Sequence, residues 1–320
     1  MNTTLSVRSK LSILILFALI FAATMIALSV RNPESPSEDA HFWGKTKTIE
    51  KKFSVHSGEN LALDADVGNI SITGNDSQEL SIVVTAKGSD EILSKYHVDF
   101  DQEGGTVRVR GKHDRKYFHF FDNVSMEILF EIQLPKSFNL NLQTSGGDIT
   151  VHNIDGTIKG ETSGGDIEID KLTGIVKLTT SGGNIALTNS NGDLTLETSG
   201  GDIRGESLTG TVNVETSGGN IAFLDTDGKL NASTSGGDIK VELKDNKGIN
   251  LSTSGGNISI RLPKSISGQV LATTTGGDVS CDFPFSGRLK EGSLKGTING
   301  GGNLIQAETS GGDIVISSVE

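Results

Sequence analysis

A column of acid and amide side chains is the feature of this sequence that is best suited to chemistry. Each member follows a Gly-Gly pair in a repeated Thr-Ser-Gly-Gly-[Asp/Asn]-Ile motif or a close variant of it. Carboxylate and amide oxygens are preferred ligands of Ca²⁺, and nonapeptide β-rolls bind Ca²⁺ through Asp in glycine-rich turns. We name this set the Asx column, and its members are Asp148, Asp166, Asn184, Asp202, Asn220, Asp238, Asn257, Asp278 and Asp313.

The order of the Asx column favours a structural turn over a metal site. From residue 184 to residue 257 Asn and Asp alternate strictly, so carboxylates do not follow one another. Two carboxylates on neighbouring coils, about 4.8 Å apart, would repel by roughly 1 kcal/mol even in water. A calcium site would cluster such oxygens, and the motif also lacks the second Gly-x-Asp step of calcium-binding β-rolls. We therefore assign no metal ligand here, and calcium binding stays as an alternative.

The other reactive side chains do not form a recognisable site. Histidines stand at positions 41, 56, 97, 113, 119 and 152, without metal-ligand spacing. The densest cluster, His113-Asp114 with His119, lies in a basic and aromatic segment and is predicted to belong to the surface and a cap. Cys281 is the one cysteine, which excludes an intramolecular disulfide, and it is predicted to be a small buried hydrophobe. The sequence predicts no catalytic residue, no cofactor and no enzymatic activity.

Repeated Thr-Ser pairs raise the question of ice or glycan binding. An ice-binding face needs one residue type repeated outward along the strands. The outward strand positions are instead mixed: Thr150, Glu168, Ala186, Arg204, Ala222, Lys240 and Ser259. Ice binding is therefore disfavoured, whereas glycan binding stays open without an assigned site.

The elements that position these residues follow from an internal repeat. The motif begins at Thr144 and returns every 18 residues up to Thr234, and glycine recurs every nine residues from 147 to 237. Apolar residues stand two and four positions after most of these glycines, the spacing of a short half-buried strand rather than a helix. The sequence predicts an all-β fold, a β-solenoid of stacked 18-residue coils with two nine-residue strand-turn units each.

The net charge and the N-terminal segment indicate which partners the protein can have and where in the cell it lies. The net charge is −12, with 40 acidic against 28 basic residues, which argues against nucleic acid as a partner. Residues 11–30 carry no charge, and twenty such residues are long enough for a transmembrane helix. Arg8 and Lys10 precede the segment, which predicts that the N-terminus stays in the cytoplasm and that the bulk of the chain is extracytoplasmic. A signal peptide cleaved at Ala27-Leu28-Ser29 is the alternative.

Four segments follow from these patterns. We predict a signal anchor at residues 1–31, a linker at 32–44, an irregular N-terminal β part with a cap at 45–143, and regular β-solenoid repeats at 144–320. The aromatic segment 117–130 is the candidate for the N-terminal cap.

The chain resembles the bacterial toast-rack repeat proteins, which are also grouped with adhesins. The resemblance covers about residues 45–320 and rests on Gly-Asn-Ile-Ser-Ile at 68–72, Leu-Pro-Lys-Ser at 134–137 and 262–265, and the repeated motif. It implies an exported or membrane-tethered β-solenoid linked with cell-envelope stress systems, and it brings no catalytic residues. We therefore expect a non-enzymatic interaction or scaffold surface in the cell envelope, whose partner is an envelope protein or glycan. A secreted or surface adhesin that binds glycan or calcium is the alternative.

Overall fold

The computed structural model describes residues 45–114 and 126–319, which belong to one compact unit, residues 44–320. Strands dominate, with one short helix, α1 (Asp90–Lys95). The strands are β1 (Lys45–Ser54), β2 (Asn60–Ala65), β3 (Asn69–Asn75), β4 (Glu79–Gly88), β5 (Tyr96–Glu103), β6 (Thr106–His113), β7 (Glu127–Pro135), β8 (Asn139–Thr144), β9 (Ile149–Glu161), β10 (Ile167–Thr180), β11 (Ile185–Thr188), β12 (Asn191–Thr198), β13 (Ile203–Glu206), β14 (Thr209–Thr216), β15 (Ile221–Thr234), β16 (Ile239–Leu243), β17 (Ile249–Thr253), β18 (Ile258–Pro263), β19 (Gly268–Thr274), β20 (Val279–Cys281), β21 (Phe285–Lys290), β22 (Ser293–Ile298), β23 (Leu304–Thr309) and β24 (Ile314–Val319).

The signal anchor predicted at residues 1–31 and the linker at 32–44 lie outside the described residues. Within the part of the chain that the structure describes, no helix has the length and apolar character needed to cross a bilayer.

The strands form two sheets, each of which runs along the stack of coils. The first sheet has the order β5-β6-β2-β8-β9-β10-β12-β14-β15-β17-β23-β19-β22-β21. The second sheet has the order β1-β4-β7-β3-β9-β10-β11-β13-β15-β16-β18-β24-β20. The long strands β9, β10 and β15 bend at a corner and contribute to both sheets.

Parallel pairing in the centre of the stack has a register of 18 residues. Ile149 pairs with Ile167, and Val176 pairs with Leu194. Because identical corners lie over one another, the apolar residues between them form continuous inner columns that are buried. Leu172, at the less tight corner, is 1% exposed and belongs to this core. The predicted all-β solenoid of 18-residue coils is confirmed.

The first and last coils of the chain do not lie at the ends of the stack. The coil of β2 and β3 lies between β6–β7 and β8–β9, and the coil of β23 and β24 lies between β17–β18 and β19–β20. The two Leu-Pro-Lys-Ser blocks, at 134–137 and 262–265, follow β7 and β18. They therefore mark the two places where the chain steps over an inserted coil.

Both ends of the stack are closed by antiparallel strands. At one end β5 pairs with β6, and β1 and β4 extend β7. The exposed edge strand β1 carries Lys45, Lys47, Lys51 and Lys52, which discourage pairing with another sheet. At the other end Phe283, 5% exposed, fills the core where the chain passes from β20 to the hairpin of β21 and β22.

The cap predicted from the aromatic segment 117–130 falls mostly outside the described residues, so it stays a prediction. Residues 115–125 lie outside the described residues, but Phe130 is fully buried in β7, which lies between β3 and β4.

Candidate functional site

The tight corner is built around a buried threonine. Thr162 Oγ1 donates to Gly147 O of the preceding coil at 2.9 Å and accepts from Gly165 N at 3.3 Å. Its exposed fraction is 6%, so the hydroxyl lies inside the corner. The same pair of bonds is made by Thr180, Thr198, Thr216, Thr234, Thr253, Thr274 and Thr309. Threonine is therefore required at this position for its hydroxyl and its compact apolar stem.

The Asx column lies outside this corner as a ladder of hydrogen bonds. Asp166 N donates to Asp148 Oδ1 at 2.8 Å, and Asn184 N donates to Asp166 Oδ1 at 2.6 Å. The ladder runs in the order Asn69, Asp148, Asp166, Asn184, Asp202, Asn220, Asp238, Asn257, Asp313, Asp278. Each side chain thus satisfies a main-chain N–H of the next coil, which is a structural role.

The amide of each Asn explains why Asn alternates with Asp. Asn184 Nδ2 donates to Asp166 Oδ1 at 3.2 Å, and Asn220 and Asn257 make the same contact with Asp202 and Asp238. An aspartate at these positions would place a second carboxylate there instead of a donor. Among the described residues, no three or more His, Cys, Asp or Glu side chains are grouped to hold a metal ion. The Asx column is therefore predicted to be structural, and calcium binding by it stays the alternative.

The outer face of the second sheet carries a shallow open groove of about 500 Å³. The small side chains of Ala186 and Ala222 flank Arg204, as the mixed outward column predicted, and Leu224 beside them is 45% exposed. Arg204 pairs with Asp202 at 2.8 Å, at the adjoining corner. The groove is open to solvent and lined by both charge signs, so it does not resemble an enclosed substrate site.

The outer face of the first sheet is more polar. Its groove, of about 230 Å³, lies over Asn213, Asn231 and Asn250 with Glu197 and Glu215 beside them. Asn231 Nδ2 donates to Asn213 Oδ1 at 2.8 Å. Rows of amides offer donors and acceptors together, which suits hydroxyl-rich partners.

A histidine–aspartate pair on the second sheet was missed from the sequence. His152 Nδ1 lies 2.9 Å from Asp170 Oδ2, and Thr188 and Asn189 donate to Asp170 Oδ1 at 2.8 and 2.7 Å. Partial burial acts to raise the pKa of Asp170, but these hydrogen bonds and the electrostatic influence of the neighbouring His152 and Lys171 outweigh it and lower that pKa. No described hydroxyl bonds to the other nitrogen of His152, so the nucleophile of a hydrolytic triad is missing among these residues. The 18-residue period was the signal that could have found the pair.

The remaining candidates have structural surroundings. His113 N donates to Asp66 Oδ2 at 3.2 Å, and its ring meets the edge of Tyr96 at 6.3 Å between centroids. Burial, with the nearby charges of Asp66 and Asp64, raises the pKa of Tyr96. His41 and His119 lie outside the described residues.

Cys281 packs against the core, but it is half-buried rather than fully buried. The reason is that β20 is the last strand of the second sheet and no further coil covers it. Burial raises the pKa of its thiol.

Comparison with protein families gives a match over most of the chain. A family model described as Toastrack DUF4097 matches residues 58–317. No curated protein matches the chain.

Three solved structures are similar in part. A Parabacteroides merdae protein named "putative adhesin" is 12% identical with a TM-score of 0.46, covering 87% of this chain and 98% of that one. A Bacteroides fragilis protein of the same name is 15% identical with a TM-score of 0.42, covering 85% and 97%. A Parabacteroides distasonis protein named "putative lipid binding protein" is 15% identical with a TM-score of 0.39, covering 87% and 98%.

Proposed function

This chain belongs to the Toastrack DUF4097 family, and from that premise we propose a non-enzymatic scaffold or interaction surface in the bacterial cell envelope. The protein is tethered to the membrane by residues 11–30, with the solenoid on the extracytoplasmic side. A link to envelope stress belongs to the same proposal.

The continuous corner ladder carries this proposal. From Asn69 to Asp278, every coil is bonded to the next through the Asx side chain as well as through the strands. Such a stack resists bending, and it holds outward side chains at a spacing of about 4.8 Å on two faces. Both grooves on these faces are shallow, which suits contact with a large partner better than turnover of a small one.

The tether is tested by fractionation and intact mass. We expect the full chain to stay in the membrane fraction after a high-salt wash, because insertion of apolar side chains is not screened by salt. A chain that begins at Asn32 is expected to be soluble with the same β-rich circular dichroism. Recovery of a chain beginning at Val30 would show cleavage and would contradict the tether.

The partner is tested by cross-linking in intact cells, followed by purification of the full chain and identification of the attached proteins. We expect one or more envelope proteins to be enriched over a control strain that expresses residues 1–44 alone. Equal recovery from both strains would contradict a scaffold role for the solenoid.

A secreted or surface adhesin that binds glycan or calcium is the second candidate. The oxygen-rich Asx column and the amide row at Asn213 and Asn231 favour it. A ligand present at 100 times its Kd stabilises a protein by about 2.7 kcal/mol. A rise in melting temperature with millimolar calcium that EDTA reverses would therefore support the adhesin, and an unchanged temperature would support the structural turn.

A further inference from the structure

The hairpin at the far end of the stack presents an unusual pair of cations. Strands β21 and β22 are antiparallel, and Arg288 lies directly opposite Lys295. Lys290 lies opposite Ser293 on the same face. These three side chains are exposed and point outward, because the alternate residues Leu294 and Ile298 are fully buried. We name Arg288, Lys290 and Lys295 the basic hairpin.

Within the described part of the chain, the basic hairpin takes part in no ion pair. None of its three side chains makes one of the ion pairs of the structure, and Glu291 in the turn does not reach them. Like charges directly opposite each other on paired strands are destabilising. The hairpin therefore keeps a repulsive pair, in a chain whose net charge is −12.

A second pair of neighbouring cations on the same sheet is compensated by carboxylates of the protein. Lys159 and Lys177 are neighbours on adjacent strands. Lys159 binds Glu161 at 2.8 Å, and Lys177 approaches Glu197 at 3.6 Å. That pair is compensated within the protein, whereas Arg288 and Lys295 leave room for an external anion.

We propose that the basic hairpin binds an anionic polysaccharide, a glycan that bears carboxylate, sulfate or phosphate groups. Arg288 and Lys295 hold one anionic group between them, and Lys290, two residues along the strand and so about 7 Å away, meets the next. Hydroxyls of Ser286, Ser293 and Thr297 on the same face offer hydrogen bonds to sugar hydroxyls. This inference rests on the proposed function and names the ligand class of one end of the surface.

Position and surface composition favour a polysaccharide over a lipid surface. The hairpin ends the first sheet, 13 strand spacings or about 60 Å from β5 at the other end. The nearest outward apolar side chain, Leu271, is only partly exposed and lies beside Lys295. The exposed Leu289 points to the opposite face of the hairpin. A face with three cations and no projecting apolar side chain binds charge without inserting into a bilayer.

The test uses the full chain in a non-ionic detergent and compares two double variants of equal charge change. Arg288→Gln with Lys295→Gln removes the proposed site, and Lys159→Gln with Lys177→Gln is the matched control. Binding to heparin, polygalacturonate and neutral dextran is measured at several salt concentrations, in plain detergent micelles and in micelles that carry phosphatidylglycerol. We expect binding to at least one anionic polymer, weaker at high salt, with at least tenfold lower affinity in the hairpin variant and less than a twofold change in the control.

Folding is checked in the same samples. The hairpin variant should melt no lower than the parent chain, because the substitution removes a repulsion. The proposal is overturned if neither anionic polymer binds, if both double variants lose affinity equally, or if phosphatidylglycerol in the micelles displaces the polymers. Those failures leave the cross-linking test of the scaffold unaffected, since that test does not depend on a glycan.

Discussion

Two adjacent glycines in one corner should respond very differently to the same substitution. In the corner at residues 198–202, a Cβ on Gly201 would clash with the main-chain oxygen of Gly183 in the preceding coil. A Cβ on Gly200 would find Ser181 O at 3.6 Å, which is an ordinary contact. Neither glycine has a positive φ, so close approach of two coils, and not backbone strain, distinguishes them.

The magnitude follows from the hydrogen bonds that meet at Gly201. Gly201 N donates to Thr198 Oγ1 at 3.3 Å, and Gly201 O accepts from Thr216 Oγ1 at 3.0 Å. Thr198 Oγ1 also donates to Gly183 O at 2.9 Å, and Asp202 N donates to Asn184 Oδ1 at 2.9 Å. Separating the coils enough for a methyl group weakens most of these bonds, each worth about 1 kcal/mol net. We expect Gly201→Ala to lower the free energy of unfolding by about 2–4 kcal/mol.

The control, Gly200→Ala, should lower the free energy of unfolding by no more than about 0.5 kcal/mol. It could raise that free energy by up to about 1 kcal/mol, because alanine reduces the entropy of the unfolded chain. Thermal melting by circular dichroism measures both variants, and the Gly201 variant should melt roughly 5–15 °C lower. Midpoints are compared directly, because repeat proteins need not unfold in two states. Equal midpoints for the two variants would refute the close-approach explanation.

Three further outcomes follow from the coil geometry and the Asp170 cluster. Deletion of residues 180–197, one full coil, should leave a cooperative melting transition. Deletion of residues 180–188 should abolish that transition, because a tight corner would then lie over a loose one. Similar transitions for the two deletions would show that the 18-residue coil is wrong. Lys171 has a φ of 55°, in the left-handed region that Asn tolerates better than Lys. Lys171→Asn should therefore raise the free energy of unfolding, measured by urea denaturation, by about 0.5–1 kcal/mol. A lower free energy of unfolding would exclude backbone strain at Lys171. Asp170 has a lowered pKa, so its stabilising effect is complete above its ordinary pKa of 3.8 and is lost as pH falls through the lower folded value. Asp170→Asn should therefore reduce stability at pH 7 but not at pH 2, and equal losses at both pH values would contradict this sign.

The sequence by itself determined the repeating part of the molecule. Identical corners every 18 residues can stack only in register, and an apolar residue between polar neighbours in each coil must face the inside. Nearest-neighbour contacts between similar coils are local enough for spacing to predict them. The sequence left open whether a recurring glycine reflects positive φ or close approach. The structure shows that Gly201 serves close approach alone, whereas Gly174, at the other corner, combines a φ of +143° with a similarly close approach to Gly156 O.

The tertiary structure alone decided which coil lies beside which at the ends. The corner that begins at Thr309 carries the same motif as those that begin at Thr253 and Thr274, and it lies between them. Spacing does not encode this insertion, because near-identical corners offer the same hydrogen bonds to any neighbour. Loop lengths and the shape of the capping hairpin decide among them. The contact of Arg288 with Lys295 depends on how the hairpin of β21 and β22 pairs at the end of the stack, so it too required the tertiary structure.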